Sequence, residues 1–166
     1  MVYPVPNTLV RTSHALTIKA NGVDVGLING WNPSQGRTIT PIFEVGVDGS
    51  GNPIENMPGN ITGLQVSINR FDTYKERMET AFGTPDLTML TRQNQPFVVK
   101  EVWLLSNGSK ERYVYDGCWF SSIGRSLRSD DARTVNVNAT IIYTKKIPVL
   151  EAAFGSTLVN LIENIF

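Results

Sequence analysis

RTITPIFEVGVDGSGNPIENMPGNITGLQVSINR, residues 37–70, is the stretch that decides how this chain folds. Both ends of the stretch have strand-like composition, and from Gly59 to Arg70 apolar and polar residues largely alternate. The segment between the two ends, Val47–Pro58, is too long for a tight hairpin turn and too polar to be buried. We therefore predict two strands, the second over Ile61–Arg70, joined by a long loop that projects from a small β domain.

The residues before this stretch predict a tight hairpin. Asn21-Gly22 supplies the two positive-φ residues of a type I′ turn between strands at Ala15–Ala20 and Val23–Trp31. A polar turn, Trp31–Gly36, then leads into the third strand. Pro41 lies within that strand, and a proline in a sheet is confined to an edge or a bulge. We therefore expect the third strand to lie at an edge of the sheet or to carry a bulge.

One amphipathic helix is predicted over Asp72–Phe82. Asp72 is a suitable N-cap, and Gly83 followed by Pro85 ends the helix. Apolar side chains recur at helical spacing, so one face of the helix should cover a face or an end of a sheet. These side chains are Tyr74, Met78, Ala81 and Phe82.

The second half of the chain predicts further β structure. Phe97–Ser106 and Lys110–Phe120 form a second hairpin, turned at Asn107-Gly108. Ser121–Asp131 has the composition of a polar connection. Arg133–Lys145 alternates apolar and polar side chains, which is typical of a long half-buried strand.

These elements indicate a mainly β (α+β) protein. We predict an antiparallel β-sandwich or partly open β-barrel, with one flanking helix at about residues 72–82 and a long projecting loop at about residues 47–58.

The chain divides into three parts. Residues 1–12 are predicted to be an extended arm, because Pro4 and Pro6 disfavour regular strand pairing. Residues 13–147 form the β domain. Residues 148–166 are predicted to be an apolar tail that is helical or docked, since its apolar residues recur at helical spacing.

Composition limits the classes of function. The chain has 166 residues with 15 basic and 15 acidic side chains, so it lacks the basic excess that grips nucleic acid. Charged residues make up 18% of the chain, below the typical value of about 25%, and neutral polar residues and glycine replace them. No stretch approaches the roughly 20 apolar residues of a membrane span. The N-terminus lacks the features of a signal peptide, so we expect the chain to fold in a cytoplasm.

Residues that carry catalytic or metal chemistry are few. The single histidine, His14, is not a metal site by itself, and the single cysteine, Cys118, is expected to be a buried thiol. Asp48–Asn52 begins like a calcium loop, but Pro53 stands where the turn glycine is required. Asp130-Asp131 is interpreted as a local ion-pairing or capping pair. We therefore predict no enzymatic activity, no cofactor and no metal.

The tryptophans leave a second interpretation open. Trp31, Trp103 and Trp119 would form a sugar-binding platform if they were exposed. Trp103 and Trp119 lie on the two strands of one predicted hairpin, which favours packing in the core.

In this order, the elements resemble the tail tube proteins of contractile-tailed bacteriophages and the related tube subunits of contractile injection systems. The matching features are the Arg37–Gly46 strand, the long loop to Pro58-Gly59, the alternating strand that ends at Arg70, and the helix Asp72–Phe82. The resemblance covers about residues 10–147 and depends on the order of individually weak motifs.

This resemblance implies a structural virion protein. Six copies would close into a ring whose inner sheets form one continuous barrel, and stacked rings would form the hollow inner tube through which DNA is ejected into the host. It also implies contacts with tail sheath, baseplate and tail terminator proteins. Two alternatives remain open: another tail or baseplate component, and a carbohydrate-binding β-sandwich.

Neutral polar strand faces are the candidates for the lining of the lumen. An ordinary solvent-facing strand usually carries lysine or glutamate. A channel that conducts DNA gains from a wall without cations, because each lysine or arginine would bind phosphate. The candidate lumen residues are Gln65, Ser67, Asn69, Thr134, Asn136, Asn138 and Thr140.

The projecting loop and the apolar tail are the candidates for contacts between subunits. An exposed apolar terminus promotes aggregation unless it docks on its own domain or on a neighbouring copy. The candidates in the loop are Val47, Asp48, Asn52, Ile54 and Met57, and those in the tail are Phe154, Leu158, Leu161, Ile162, Ile165 and Phe166.

Overall fold

The structure, a computed structural model, describes residues 16–26, 28–45, 51–73, 76–84, 89–127 and 135–150. Within these ranges it contains eight strands, one short α-helix and one 3₁₀ turn, at Leu90–Arg92. The strands are β1 (Leu16–Ala20), β2 (Val23–Asp24), β3 (Ile28–Ile42), β4 (Glu55–Phe71), β5 (Phe97–Leu104), β6 (Lys110–Leu127), β7 (Val135–Ile142) and β8 (Lys145–Leu150), and the helix α1 is Met78–Ala81.

All strand pairs are antiparallel, and they form one open sheet in the order β2-β1-β5-β6-β7-β4-β3, with β8 also paired to β6. The first half of β6 lies between β5 and β8, and its second half pairs with β7. The predicted mainly β, antiparallel fold is therefore confirmed, and β3 lies at an edge of the sheet as Pro41 indicated.

The long strand β6 connects the two halves of the sheet. Where β5 stops pairing at Cys118, the side chain of Gln93 continues the hydrogen bonding. Its amide nitrogen donates to the Cys118 carbonyl at 3.3 Å, and its amide oxygen accepts from the Phe120 N–H at 2.9 Å. A buried backbone group without a partner is costly, so Gln93 allows β6 to leave one half of the sheet and join the other.

A single hydrophobic core is shared by both halves of the sheet. Ile18, Val99 and Tyr115 from one half belong to the same buried cluster as Val66 and Ile141 from the other. On β7 the predicted alternation is confirmed, since its buried residues are spaced two apart. They are Val137, Ala139 and Ile141.

Helix α1 is much shorter than the predicted helix over residues 72–82. The guanidinium of Arg70 is buried and donates to the Gly26 carbonyl, to the Glu76 carbonyl and to the Glu76 carboxylate. These bonds fix Glu76 in position, and Arg77, the residue directly before α1, is extended and not helical. Asp72 therefore does not cap the helix. Its carboxylate lies 3.5 Å from Nε of Arg125.

The buried face predicted for the helix is correct at the three positions that the structure describes. Met78, Ala81 and Phe82 are buried, and Tyr74 lies outside the described residues. The Phe82 ring has its centre 5.8 Å from those of both Phe97 and Phe120. The short helix thus supplies the aromatic side chain that closes one end of the core.

Two segments predicted to be irregular are strands. Trp31–Gly36 belongs to β3 and pairs with β4, and most of Ser121–Asp131 belongs to β6, which continues to Leu127. In both cases strand pairing overrides a local composition of mostly polar residues with glycine. Strand β8 was not predicted, and it includes residues 148–150, which were assigned to the tail.

Both predicted tight turns are confirmed. Asn21 and Gly22 have positive φ values of 48° and 84°, as a type I′ turn requires. Gly108 has φ 80°, and the Asn107 side chain accepts from the backbone N–H of Ser109 at 2.9 Å. The projecting loop begins and ends earlier than predicted: β3 ends at Ile42 and β4 already begins at Glu55, so the two strands are joined by residues 43–54 and not by residues 47–58.

Cys118 is a buried thiol, as predicted, and lies beside buried Tyr115. Burial raises the pKa of the Cys118 thiol to about 12. Burial, reinforced by the hydrogen bond to Glu101, also raises the pKa of Tyr115 well above its usual value. Both groups therefore stay protonated in the folded protein at pH values where the unfolded chain loses these protons.

We expect these two groups to make the fold sensitive to alkali. Unfolded cysteine and tyrosine have pKa values of about 8.5 and about 10, and each group favours the unfolded chain by about 1.4 kcal/mol per pH unit only above its own value. The free energy of unfolding, measured with urea, should be level below about pH 8 and should fall above it. Cys118→Ala should move the onset to the tyrosine range, and an unchanged onset would contradict this explanation.

Candidate assembly interface

Four strands, β6-β7-β4-β3, present a neutral polar face. Ser67 on β4 pairs with Asn32 on β3 and with Thr140 on β7, and Thr140 in turn pairs with Ser122 on β6. None of these side chains carries a charge. The neighbouring rows, from β3 to β6, consist of Gly30, Asn69, Asn138 and Gly124 on one side and of Ser34, Gln65, Ile142 and Trp119 on the other.

The predicted lumen residues of β4 and β7 therefore lie side by side. Asn69 pairs with Asn138, and Asn136 lies one row further on, opposite Phe71. Thr134 lies outside the described residues. The alternation in the sequence predicted that the candidates on β4 share one face of that strand and that those on β7 share one face of theirs. The tertiary structure places these two strands next to each other.

Two asparagine side chains of this face have unused hydrogen-bonding capacity. The Oδ1 atoms of Asn69 and Asn136 are buried and have no hydrogen-bond partner among the described residues. An unpaired buried acceptor costs about 1–3 kcal/mol, so donors supplied by water or by a neighbouring molecule would stabilise the face.

The two edges of this four-strand region are open within the described residues. The second half of β6, from Trp119 to Leu127, pairs with β7 on one side only, and β3 pairs only with β4. Along its open half β6 has no proline, and its single charged residue, Arg125, lies beside Asp72. β3 has no charged residue between Ile28 and Gly36, although it contains one proline there, Pro33. Such edges offer unpaired backbone groups to another strand.

The other two edges of the sheet are protected. Strand β2 has only two residues and carries an ion pair, with Lys19 Nζ 3.4 Å from Asp24. Strand β8 carries Lys145, Lys146 and Pro148. Short length, lysine and proline all discourage the addition of a further strand. Strand length and lysine content therefore distinguish the protected edges β2 and β8 from β3 and β6, whereas proline does not, because β3 also contains Pro33 and Pro41.

Beyond Gly36, β3 and β4 form a two-stranded ribbon that is exposed on both faces. Ile39 and Met57 are both exposed, and since Met57 pairs with Thr40, they lie on opposite faces of the ribbon. Isolated two-stranded ribbons are at best marginally stable in water. Further exposed apolar side chains of the ribbon are Phe43, Val45, Ile54 and Ile61.

No protein-family model and no curated protein matches the sequence. Solved structures do match the fold. A chain of the sheath/tube terminator of an extracellular contractile injection system (PVC) in its extended state aligns with a TM-score of 0.60 and 10% identity, over 89% of this chain and 98% of that chain. A chain of the PVC sheath–tube complex in its extended state aligns with a TM-score of 0.60 and 11% identity, over 89% and 93%.

A third match is a chain of the anti-feeding prophage baseplate, 6-fold symmetrised, with a TM-score of 0.54 and 11% identity, over 81% of this chain and 90% of that chain. The chain has the tail-tube fold. The resemblance stated from the sequence is thereby confirmed at the level of fold.

Three of the predicted contact residues lie within the part of this tail-tube fold that the structure describes. Asn52, Ile54 and Met57 are exposed at the tip of the β3–β4 ribbon or close to it. Val47, Asp48 and the six apolar candidates of the tail, Phe154, Leu158, Leu161, Ile162, Ile165 and Phe166, lie outside the described residues. The exposed apolar residues of the strands, such as Ile39 and Ile61, were not predicted, because composition alone does not show that these strands leave the core.

The tryptophans of the tail-tube fold do not form a common platform. The indole N–H groups of Trp31 and Trp103 both donate to the carboxylate of Glu101, which also accepts the Tyr115 hydroxyl. Trp119 is 40% exposed, so the prediction that it packs in the core is wrong. It lies at the end of the neutral polar face, beside Ile142.

The part of the chain that the structure describes holds no cluster of three or more potential metal-binding side chains. Among the same residues there is no helix with the length and apolar character needed to cross a bilayer.

Proposed function

We propose that this chain is a structural, non-enzymatic subunit of a hollow tail tube. Six copies close into a ring through β3 and β6, and rings stack into the conduit through which DNA is ejected into the host. The main support for this proposal is the neutral polar face of β6-β7-β4-β3. Within the described residues, the strand edges on both sides of this face are open.

The strand directions are compatible with ring closure. Strands alternate in direction across β6-β7-β4-β3, so β6 and β3 run in opposite senses. Copies related by rotation about an axis roughly along the strands keep their strand directions. The β3 edge of one copy would therefore meet the β6 edge of the next as an antiparallel pair, and closure would remove both exposed edges.

Six copies would enclose a channel of useful width. Four strands from each of six copies, spaced about 4.8 Å apart, give a barrel circumference of about 115 Å and a backbone diameter of about 37 Å, which strand tilt increases. The baseplate of the anti-feeding prophage, one of whose chains has this fold, is 6-fold symmetrised, which supports the choice of six.

A neutral wall lets a polyanion pass without being held. We expect Ser67→Lys to convert the channel into a DNA-binding surface, because every ring would gain six phosphate-binding cations. Assembled variant tubes should retain duplex DNA at low salt and release it steeply as salt rises, while wild-type tubes and the neutral control Ser67→Gln should not retain it. Equal retention by all three would show that this face does not line the channel.

The exposed ribbon supplies contacts along the tube axis in this proposal. Its apolar side chains lie on both faces and gain stability only when another surface covers them. The partners are further rings of the same chain, together with sheath, baseplate and terminator proteins of the same particle. The subunit would fold in the host cytoplasm and be incorporated into the virion.

A second candidate is the ring that terminates a tube, because a chain of a sheath/tube terminator matches the fold as well as a chain of the sheath–tube complex does. Negative-stain electron microscopy of the purified protein tests both. Long hollow tubes support the tube subunit, isolated six-fold rings support the terminator, and a protein that remains monomeric at all concentrations contradicts both.

A further inference from the structure

A cleft of about 530 Å³ opens behind the free edge of β3. One wall is formed by β3 from Ile28 to Pro33, and the other by β1 and β5 of the opposite half of the sheet, including Ile18 and Trp103. The cleft therefore lies at the point where the open sheet fails to close on itself. It adjoins the same edge that we propose to pair with a neighbouring copy.

The chemistry of the cleft suits an apolar occupant with a positive charge near Glu101, since Asp24 is already paired with Lys19. The described residues that line it include Asp24 and Glu101 but no lysine or arginine. Glu101 is buried, and the three side chains that donate to its carboxylate are all neutral, with Trp31 Nε1 at 3.2 Å. A buried carboxylate compensated only by neutral donors is stabilised further when a cation approaches through a low-dielectric region.

A complementary segment lies at the opposite open edge. Met89 and Leu90 are exposed apolar residues that precede and begin the 3₁₀ turn, and Arg92, at the end of the turn, is exposed. Gln93, the next residue, bonds to Cys118 and Phe120 on β6, next to the unpaired stretch of that strand. The segment Met89–Arg92 is therefore anchored beside the free edge of β6.

We infer that the cleft of one copy receives Met89–Arg92 of the neighbouring copy. This rests on the proposed ring, in which the β6 edge of one subunit joins the β3 edge of the next. That junction brings the neighbour's 3₁₀ turn to the mouth of the cleft. Met89 and Leu90 fill the apolar part, and Arg92 faces the side of the cleft that holds Glu101. The interface thus consists of a paired strand edge with a side-chain plug behind it.

A disulfide cross-link tests this contact in assembled protein. Leu90→Cys combined with Asn29→Cys places one thiol on the plug and one on the cleft wall, and native Cys118 is buried and does not interfere. On mild oxidation of rings we expect a ladder from dimer to hexamer on a non-reducing gel. The matched control, Leu90→Cys with Val23→Cys, should give no ladder, because Val23 is exposed but does not line the cleft.

A charge reversal provides a second measurement. Arg92→Glu should reduce the assembled fraction by roughly tenfold or more, because it places a third acid against the cleft, whereas Lys110→Glu on the distant hairpin turn should not. Rings that form normally in Arg92→Glu would overturn the inference.

The outcomes separate the two proposals. Rings that are visible by microscopy but give no Leu90–Asn29 ladder overturn the inference and leave the proposed function standing. A cross-link from Val10→Cys to Asn29→Cys in those rings would mean that N-terminal residues of the chain fill the cleft instead. The absence of rings in the wild-type protein would overturn both proposals.

Discussion

Aspartate at both Ile39 and Met57 will abolish tube formation while leaving the fold of the subunit intact. The two side chains are 58% and 54% exposed on opposite faces of the β3–β4 ribbon, so the isolated subunit loses little when they become polar. In a tube each would be covered by another subunit. Burying each apolar side chain contributes about 1.5–3 kcal/mol, and an aspartate in its place must be desolvated without a partner.

This loss of free energy recurs at every contact between rings, so the fraction of protein assembled into tubes should fall below detection in negative-stain images. Circular dichroism and the thermal midpoint of the subunit should match the wild type. Val23→Asp is a suitable control, because Val23 is 67% exposed but lies on the short strand β2. Normal tubes from the double variant would exclude the ribbon from the stacking contact.

The largest effect on the stability of the subunit itself is expected from Phe82→Ala. Phe82 is fully buried and contacts Phe97 and Phe120, so the substitution leaves a cavity at the end of the core. Removing a buried phenylalanine costs about 3–5 kcal/mol in the free energy of unfolding. For a chain of this size that corresponds to a fall of about 10 °C in the thermal midpoint.

Urea unfolding of the monomer, followed by tryptophan fluorescence, measures this loss. Trp119→Ala removes a larger side chain from an exposed position, and it should cost about 1 kcal/mol or less. Equal losses for the two variants would mean that the aromatic cluster around Phe82 does not hold the two halves of the sheet together. If Trp119→Ala also assembles with a normal yield, the exposed Trp119 side chain is needed neither for the stability of the subunit nor for the channel.

Local signals in the sequence were sufficient for several elements of this fold. Asn21-Gly22 specifies its turn because positive φ at two successive positions is accessible to few residue types, and Asn107-Gly108 specifies its turn through the positive φ of Gly108 and the side-chain hydrogen bond of Asn107. The alternation of apolar and polar residues along β7 specified its buried face, because successive side chains on a strand point to opposite faces. The order of these elements was enough to state the resemblance that the solved structures confirm as a fold.

Other elements depend on contacts that no local pattern contains. Asp72–Phe82 has caps and spacing typical of a longer helix, yet the described helix begins only at Met78, and the buried guanidinium of Arg70 binds the carbonyl and carboxylate of Glu76 before it. Trp31–Gly36 has a turn-like composition and is held as a strand by pairing with β4. In both cases the free energy of long-range hydrogen bonds exceeds that of local propensity, which amounts to less than about 1 kcal/mol per residue.

The sequence by itself determined that this chain is a β protein with a neutral polar face on β4 and on β7, because composition and periodicity are properties of the chain alone. Only the tertiary structure decided that Ser67 and Thr140 lie side by side, that β3 and the second half of β6 have an open edge among the described strands, and that a cleft lies behind β3. Neighbours in a sheet are chosen by packing between residues distant in sequence. A surface for assembly exists only once those neighbours are in place.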